Sequence, residues 1–124
     1  MPLNIDYDPE AKRVRVAVSG APTVEQFQTA LEEITASDQF PPDADTIYDF
    51  RDADFSGLSR DALLRFIEVR KQHPERAAAR VACVVKGDFA FGMLRMFELN
   101  AEDLSQRMMV FKNHADAEEW LCKR

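Results

Sequence analysis

The chain has 124 residues, 46% apolar and 31% charged, long enough to bury roughly two-thirds of its unfolded surface around one core and too apolar for a disordered polymer. Its net charge of −6 is spread along the chain and repels phosphate backbones and anionic lipid surfaces, so no nucleic-acid partner is expected. No apolar run approaches the roughly 18 residues of a spanning helix, and the opening Met1-Pro2-Leu3-Asn4-Ile5-Asp6 lacks the basic and apolar regions of a signal peptide; the expectation is one domain, 1–124, cytoplasmic and without a transmembrane segment.

Leu3, Ile5 and Tyr7 alternate with polar neighbours, as do Val14, Val16 and Val18, and Asp8-Pro9-Glu10-Ala11 between the two runs is turn chemistry. This pattern predicts an antiparallel hairpin with its valines inward and the face bearing Arg13, Arg15 and Ala17 in water. Thr23 stands three residues before Gln26 in a capping box, and Val24, Phe27, Leu31 and Ile34 recur at helical spacing, predicting a helix from about Thr23 to Ala36. A linker from Ser37 to Asp45 with Pro41 and Pro42 leads to a third strand at Thr46 to Phe50, then a polar loop from Arg51 to Gly57.

Ser59 is placed to cap a second helix with Leu63, Leu64, Phe66 and Ile67, ending near His73-Pro74. The apolar run from Arg80 to Lys86 fits a central parallel strand covered on both faces. Asp88 is expected to cap a third helix carrying Phe89, Met93, Met96, Phe97, Leu99 and Leu104, followed by a strand at Met108 to Phe111 and a last helix with Ala117, Trp120 and Leu121. The order ββαβαβαβα implies right-handed crossovers and an α/β fold: a mixed five-stranded sheet, hairpin first and parallel strands after it, with about four helices.

Cys83 and Cys122 each lack a second Cys or a His at ligand spacing, so neither a zinc site nor a redox pair is signalled, and no metal or other cofactor is expected. The segment Asp49-Phe50-Arg51-Asp52-Ala53-Asp54 ends the third strand, where open α/β sheets dock ligands, but no Gly-rich phosphate cradle accompanies its acids. His73 and His114 have no plausible nucleophile beside them in sequence, and no catalytic residue is expected. Lys86-Gly87 precedes the third helix, whose first amides make an anion site conceivable there; a flexible Gly ahead of a helix cap explains the same letters.

Apolar side chains surround more of the third helix than one buried stripe requires. Phe89, Phe91, Met93, Met96 and Phe97 therefore belong to a larger core, to a face for self-association as a homodimer, or to a pocket for an apolar small molecule.

The stretch Phe91-Gly92-Met93-Leu94-Arg95-Met96-Phe97-Glu98, with Ile47-Tyr48-Asp49-Phe50 and the terminal Ala117-Glu118-Glu119-Trp120-Leu121, resembles the SpoIIAA-like group of the STAS (sulfate transporter and anti-sigma factor antagonist) superfamily over nearly the whole chain. The resemblance implies a small, bacterial, cytoplasmic, non-enzymatic domain related to anti-sigma antagonists and to the CRAL-TRIO lipid-transfer fold. In the antagonists a partner kinase phosphorylates a serine at the start of the helix after the third strand, within an Asp-Ser-Ser-Gly-like motif. Ser59 holds that helix-start position, whereas Ser56-Gly57-Leu58 echoes the letters. Neither serine follows an Asp, and the doubled serine is absent, so a plain helix cap is the competing reading of Ser59.

Three functions follow as expectations. The first is a regulatory module that binds a partner protein through Asp49, Asp52, Asp54, Ser56 and Ser59. The second is a carrier or sensor of a lipid-like molecule held beneath the third helix. The third, an enzyme, requires Asp49, Asp52 and Asp54 to converge with Lys86 and with His73 or His114 in one cleft.

Overall fold

A computed structural model gives the fold of residues 3–21, 23–36, 41, 43–57, 59–71, 79–100 and 108–122; the side chains at 35, 60, 63, 67, 70, 71 and 97–100 lie outside that set. Strand β1 (Leu3–Asp8) pairs antiparallel with β2 (Arg13–Gly20), setting Leu3 against Val18, Ile5 against Val16 and Tyr7 against Val14. The Asp8 carboxylate accepts the amides of Glu10 (3.1 Å) and Ala11 (3.3 Å), closing the turn between them.

Helix α1 (Val24–Ala36) opens with the expected reciprocal cap: the Gln26 amide donates to Thr23 Oγ1 at 3.1 Å and the Thr23 amide to Gln26 Oε1 at 3.1 Å. Strand β3 (Asp45–Ala53), helix α2 (Arg60–Lys71), strand β4 (Val81–Val84), helix α3 (Asp88–Asn100), strand β5 (Met108–Phe111) and helix α4 (His114–Cys122) follow. Five strands form one sheet in the order β1-β2-β3-β4-β5, parallel from β2 onward, so the α/β reading with its leading hairpin is the observed architecture.

Because each parallel strand is laid down beside its predecessor by a crossover of the same hand, α1, α2 and α3 all fall on one face. Val14, Val16, Ile34, Tyr48, Val81, Cys83, Ala90, Leu94 and Val110 fill that layer. An aromatic chain crosses it: Phe66 meets Phe27 edge-on at 5.0 Å, Phe27 meets Tyr48 at 5.9 Å, Tyr48 stacks on Phe50 at 5.6 Å, and Phe50 meets Phe55 at 5.3 Å. Among the described residues, helix α4 covers the second face, packing Ala117 and Leu121 on Ile47, Ala82 and Val84, with Phe111 and Trp120 at the margin. Among the described residues, no helix is long and apolar enough to cross a membrane.

Several sequence expectations need correction. Arg13 is not in water but 5% exposed, because α4 lies over it and supplies Glu118, to which Arg13 Nη1 donates. The third strand does not stop at Phe50 but continues to Ala53, since β2 supplies pairing partners for Asp52 and Ala53 in Ser19 and Gly20. Asp88 is the first helical residue of α3 rather than its cap, and its carboxylate accepts from Lys112 Nζ at 2.6 Å. His73, Leu104 and the side chains of Leu63, Ile67, Phe97 and Leu99 lie outside the described set.

Candidate functional site

Strand β3 carries one residue more than β2 at its exit: Ala17 faces Asp49, but Ser19 faces Asp52. This bulge sets two residues of β3, Phe50 and Arg51, against Val18 alone, and so re-aims the side chains that follow. Phe50 stays with the aromatic chain, Ala53 returns to the core beside Gly20, and Asp52 comes to the face that holds Asp49. A regular strand would have sent Asp49 and Asp52 to opposite faces.

Arg51 stands between the two acids. Its Nε donates to Asp49 Oδ1 at 2.9 Å and its Nη2 to Asp49 Oδ2 at 2.7 Å, a two-point contact that its own amide reinforces at 3.1 Å. The Asp49 carboxyl is held below the ordinary carboxylate range, chiefly by the Arg51 side-chain bonds, with a smaller pull from His114 across on α4. Arg51 is correspondingly pushed upward, first by its bonds to Asp49 and last by the charge of Asp52.

The chain then leaves the sheet. The Asp54 amide donates to Gly20 O at 2.8 Å, and its carboxylate accepts the Ser56 amide at 2.9 Å and the Ser56 hydroxyl, which lowers its pKa. Phe55 is buried against Phe50 and anchors the turn from beneath. Ser59 caps α2, its Oγ accepting the Ala62 amide at 3.1 Å. Asp49, Asp52, Asp54, Ser56 and Ser59 thus line one rim at the carboxyl end of β3, all at least partly exposed. Asp52 and Asp54 are both exposed, and Asp49 is bound to Arg51 and Asp54 to Ser56.

Next to the rim, α4 begins with its own cap: the Asp116 amide donates to Asn113 Oδ1 at 2.8 Å, and Asn113 Nδ2 to Asp116 Oδ2 at 2.9 Å. His114 Nε2 lies 3.6 Å from Glu118 Oε1 one turn later, and that carboxylate also receives Arg15 Nη2 at 3.0 Å. Arg15 in turn reaches Asp8 at 3.4 Å, extending the charged row to the edge of the sheet. At the far end of α4, Arg80 Nη2 donates to the carbonyls of Trp120 (2.9 Å) and Leu121 (2.6 Å) while its guanidinium lies 4.6 Å over the Trp120 ring.

The other expected residues are placed as follows. Lys86 is exposed, and Gly87 takes a left-handed conformation at φ +89° that lets the chain turn into α3. On α3, Ala90 and Leu94 face the core, Phe91 and Met93 are half-buried against it, and Phe89 (61%) and Met96 (46%) stand in solvent. Lys112 Nζ lies 5.0 Å over the Phe91 ring. Among the described residues, no group of three or more His, Cys, Asp and Glu side chains could hold a metal ion. Sequence reasoning missed Arg51 as the organiser of the rim, as well as Arg13, Arg15 and Arg80 as the clasps of α4; a basic residue two positions beyond an Asp at a strand exit was the available signal for the first.

No family model matches the chain, and no curated protein does. A solved structure is similar: an uncharacterized protein of the DUF3478 family from Shewanella loihica PV-4, described as having a SpoIIAA-like fold, is 22% identical, with 97% of this chain and 92% of that one covered at a TM-score of 0.65. The mixed sheet, its leading hairpin and its four helices are therefore those of a SpoIIAA-like fold.

Proposed function

We propose that residues 1–124 form a single cytoplasmic, non-enzymatic regulatory module that binds a partner protein through the rim at the end of β3, as anti-sigma antagonist STAS domains do. The observation that carries this reading is the bulge: it gathers Asp49, Arg51 and Asp52 on one face beside the turn that displays Ser56. Asp49 and Asp54 have lowered pKa values, which makes them weak proton acceptors near neutrality and suits recognition better than general-base chemistry. A phosphate added to Ser56 would stand against the Asp54 carboxylate that holds its hydroxyl, and the resulting repulsion would open the turn.

The test is capture of a partner from a bacterial lysate on the immobilised wild type, on Asp52→Lys and, as a control remote from the rim, on Asp6→Lys. The reading expects one protein retained by the wild type and the control and lost with Asp52→Lys. Recovery of the bait alone, or of a partner indifferent to Asp52→Lys, would count against it.

A second reading, a carrier or sensor of an apolar molecule, draws on the exposure of Phe89 and Met96. Both lie on the outer side of α3 rather than beneath it, so such a molecule would be bound at the surface, where a second copy of the chain is its competitor. Native mass spectrometry of gently purified protein, read for an added small mass against a doubled one, separates the two.

A further inference from the structure

The last turn of α4 brings an exposed thiol to a buried cation. Arg13 is 5% exposed and its Nη1 donates to Glu118; among the described residues its Nε has no acceptor and its Nη2 has only Cys122 Sγ at 4.0 Å. A thiol is a weak acceptor, so among the described residues the buried guanidinium is left with donor capacity that is poorly satisfied. Cys122 itself is exposed.

Two guanidinium groups lie at this helix end, Arg13 against the sulfur and Arg80 against the preceding carbonyls, with Glu118 paired to the first. The carbonyls of Trp120 and Leu121, which would give α4 a negative terminus, are covered by the Arg80 guanidinium. Positive charge beside an accessible sulfur favours nucleophilic attack by that sulfur.

We propose that Cys122 is an oxidant-sensitive thiol whose sulfenate is held by the buried Arg13 guanidinium, with a peroxide as the oxidant. The sulfur, having released its proton, attacks one peroxide oxygen; the S–O bond forms, the O–O bond breaks, and the departing hydroxide takes up a proton and leaves as water. Sulfur loses two electrons and the peroxide gains them. The new anionic oxygen offers Arg13 Nη2 a charge-assisted acceptor where the thiol offered a weak one. This inference is independent of any partner at the β3 rim, and Cys83, 3% exposed within β4, provides an internal reference.

The experiment exposes the whole protein to hydrogen peroxide at neutral pH with dimedone present and maps the adduct by peptide mass spectrometry. Cys122 is expected to label about tenfold faster in the folded protein than in the same chain unfolded in urea, with Cys83 unlabelled in the folded state. Arg13→Gln should bring the folded rate down to the unfolded one, and Arg13→Lys should keep part of the gain. Equal rates at Cys122 in the folded and unfolded wild type would overturn the proposal, and this comparison holds even if Arg13→Gln does not fold. A folded Arg13→Gln that retains the full rate would overturn the assignment of Arg13.

Discussion

Arg13 and Glu118 are 105 positions apart in the chain, yet their side chains meet in a part-buried ion pair that fastens the last helix to the second strand. With Arg13 buried, removing its partner strands a charge away from water, the costly way to break such a pair. Glu118→Gln is therefore expected to lower the unfolding free energy by about 2–3 kcal/mol, read as a shift of the urea midpoint. Arg15→Gln, removing a side chain that is itself more than a third exposed, should shift it far less.

The rim should be sensitive to its buried anchor. Phe55 is 5% exposed and packs against Phe50 at the point where β3 turns toward α2. Phe55→Ala is expected to cost about 3 kcal/mol and to speed amide exchange at Ser56 and Gly57 beyond what the global loss explains. Hydrogen exchange resolved by residue makes the comparison.

Acid should weaken the Asp49–Arg51 link in a defined direction. Since the folded pKa of Asp49 is lowered, chiefly by Arg51, its contribution to stability is full above the unfolded carboxylate value near 3.8 and fades as pH falls through the folded value. The stability difference between wild type and Asp49→Asn should therefore shrink as the solution is taken below about pH 4. In a carbon-detected NMR titration, Arg51→Gln should return the Asp49 midpoint toward its ordinary value.

Gly87 adopts φ +89° with nothing within 4 Å of where a Cβ would sit, so the effect of a side chain there is backbone strain without a clash. Gly87→Ala is expected to cost about 1–2 kcal/mol and Gly87→Asn less, because Asn tolerates the left-handed region better. Thermal unfolding of the two variants side by side provides the check.

Local signals in the sequence fared well because their partners sit a few residues away. The Thr23–Gln26 box needs only a spacing of three, and the alternation of Val14, Val16 and Val18 needs only the pleat. Arg13 was misread for the opposite reason: alternation assigns it a face, but whether that face is wet depends on a helix that arrives more than a hundred residues later. The grouping of Asp49 with Asp52 was likewise hidden, since the bulge that creates it is a property of the pairing with β2 and not of β3 alone. On α3, the excess of apolar residues was legible, and the structure divides it between the core at Ala90 and Leu94 and solvent at Phe89 and Met96.

The unequal cover of the two sheet faces has a consequence during synthesis. Crossover helices dress one side strand by strand as the chain lengthens, whereas Ile47, Ala82 and Val84 stay bare on the other until Ala117 and Leu121 have emerged. A nascent chain halted before that point would present a greasy strip to chaperones, so this second layer can close only after α4 has left the ribosome.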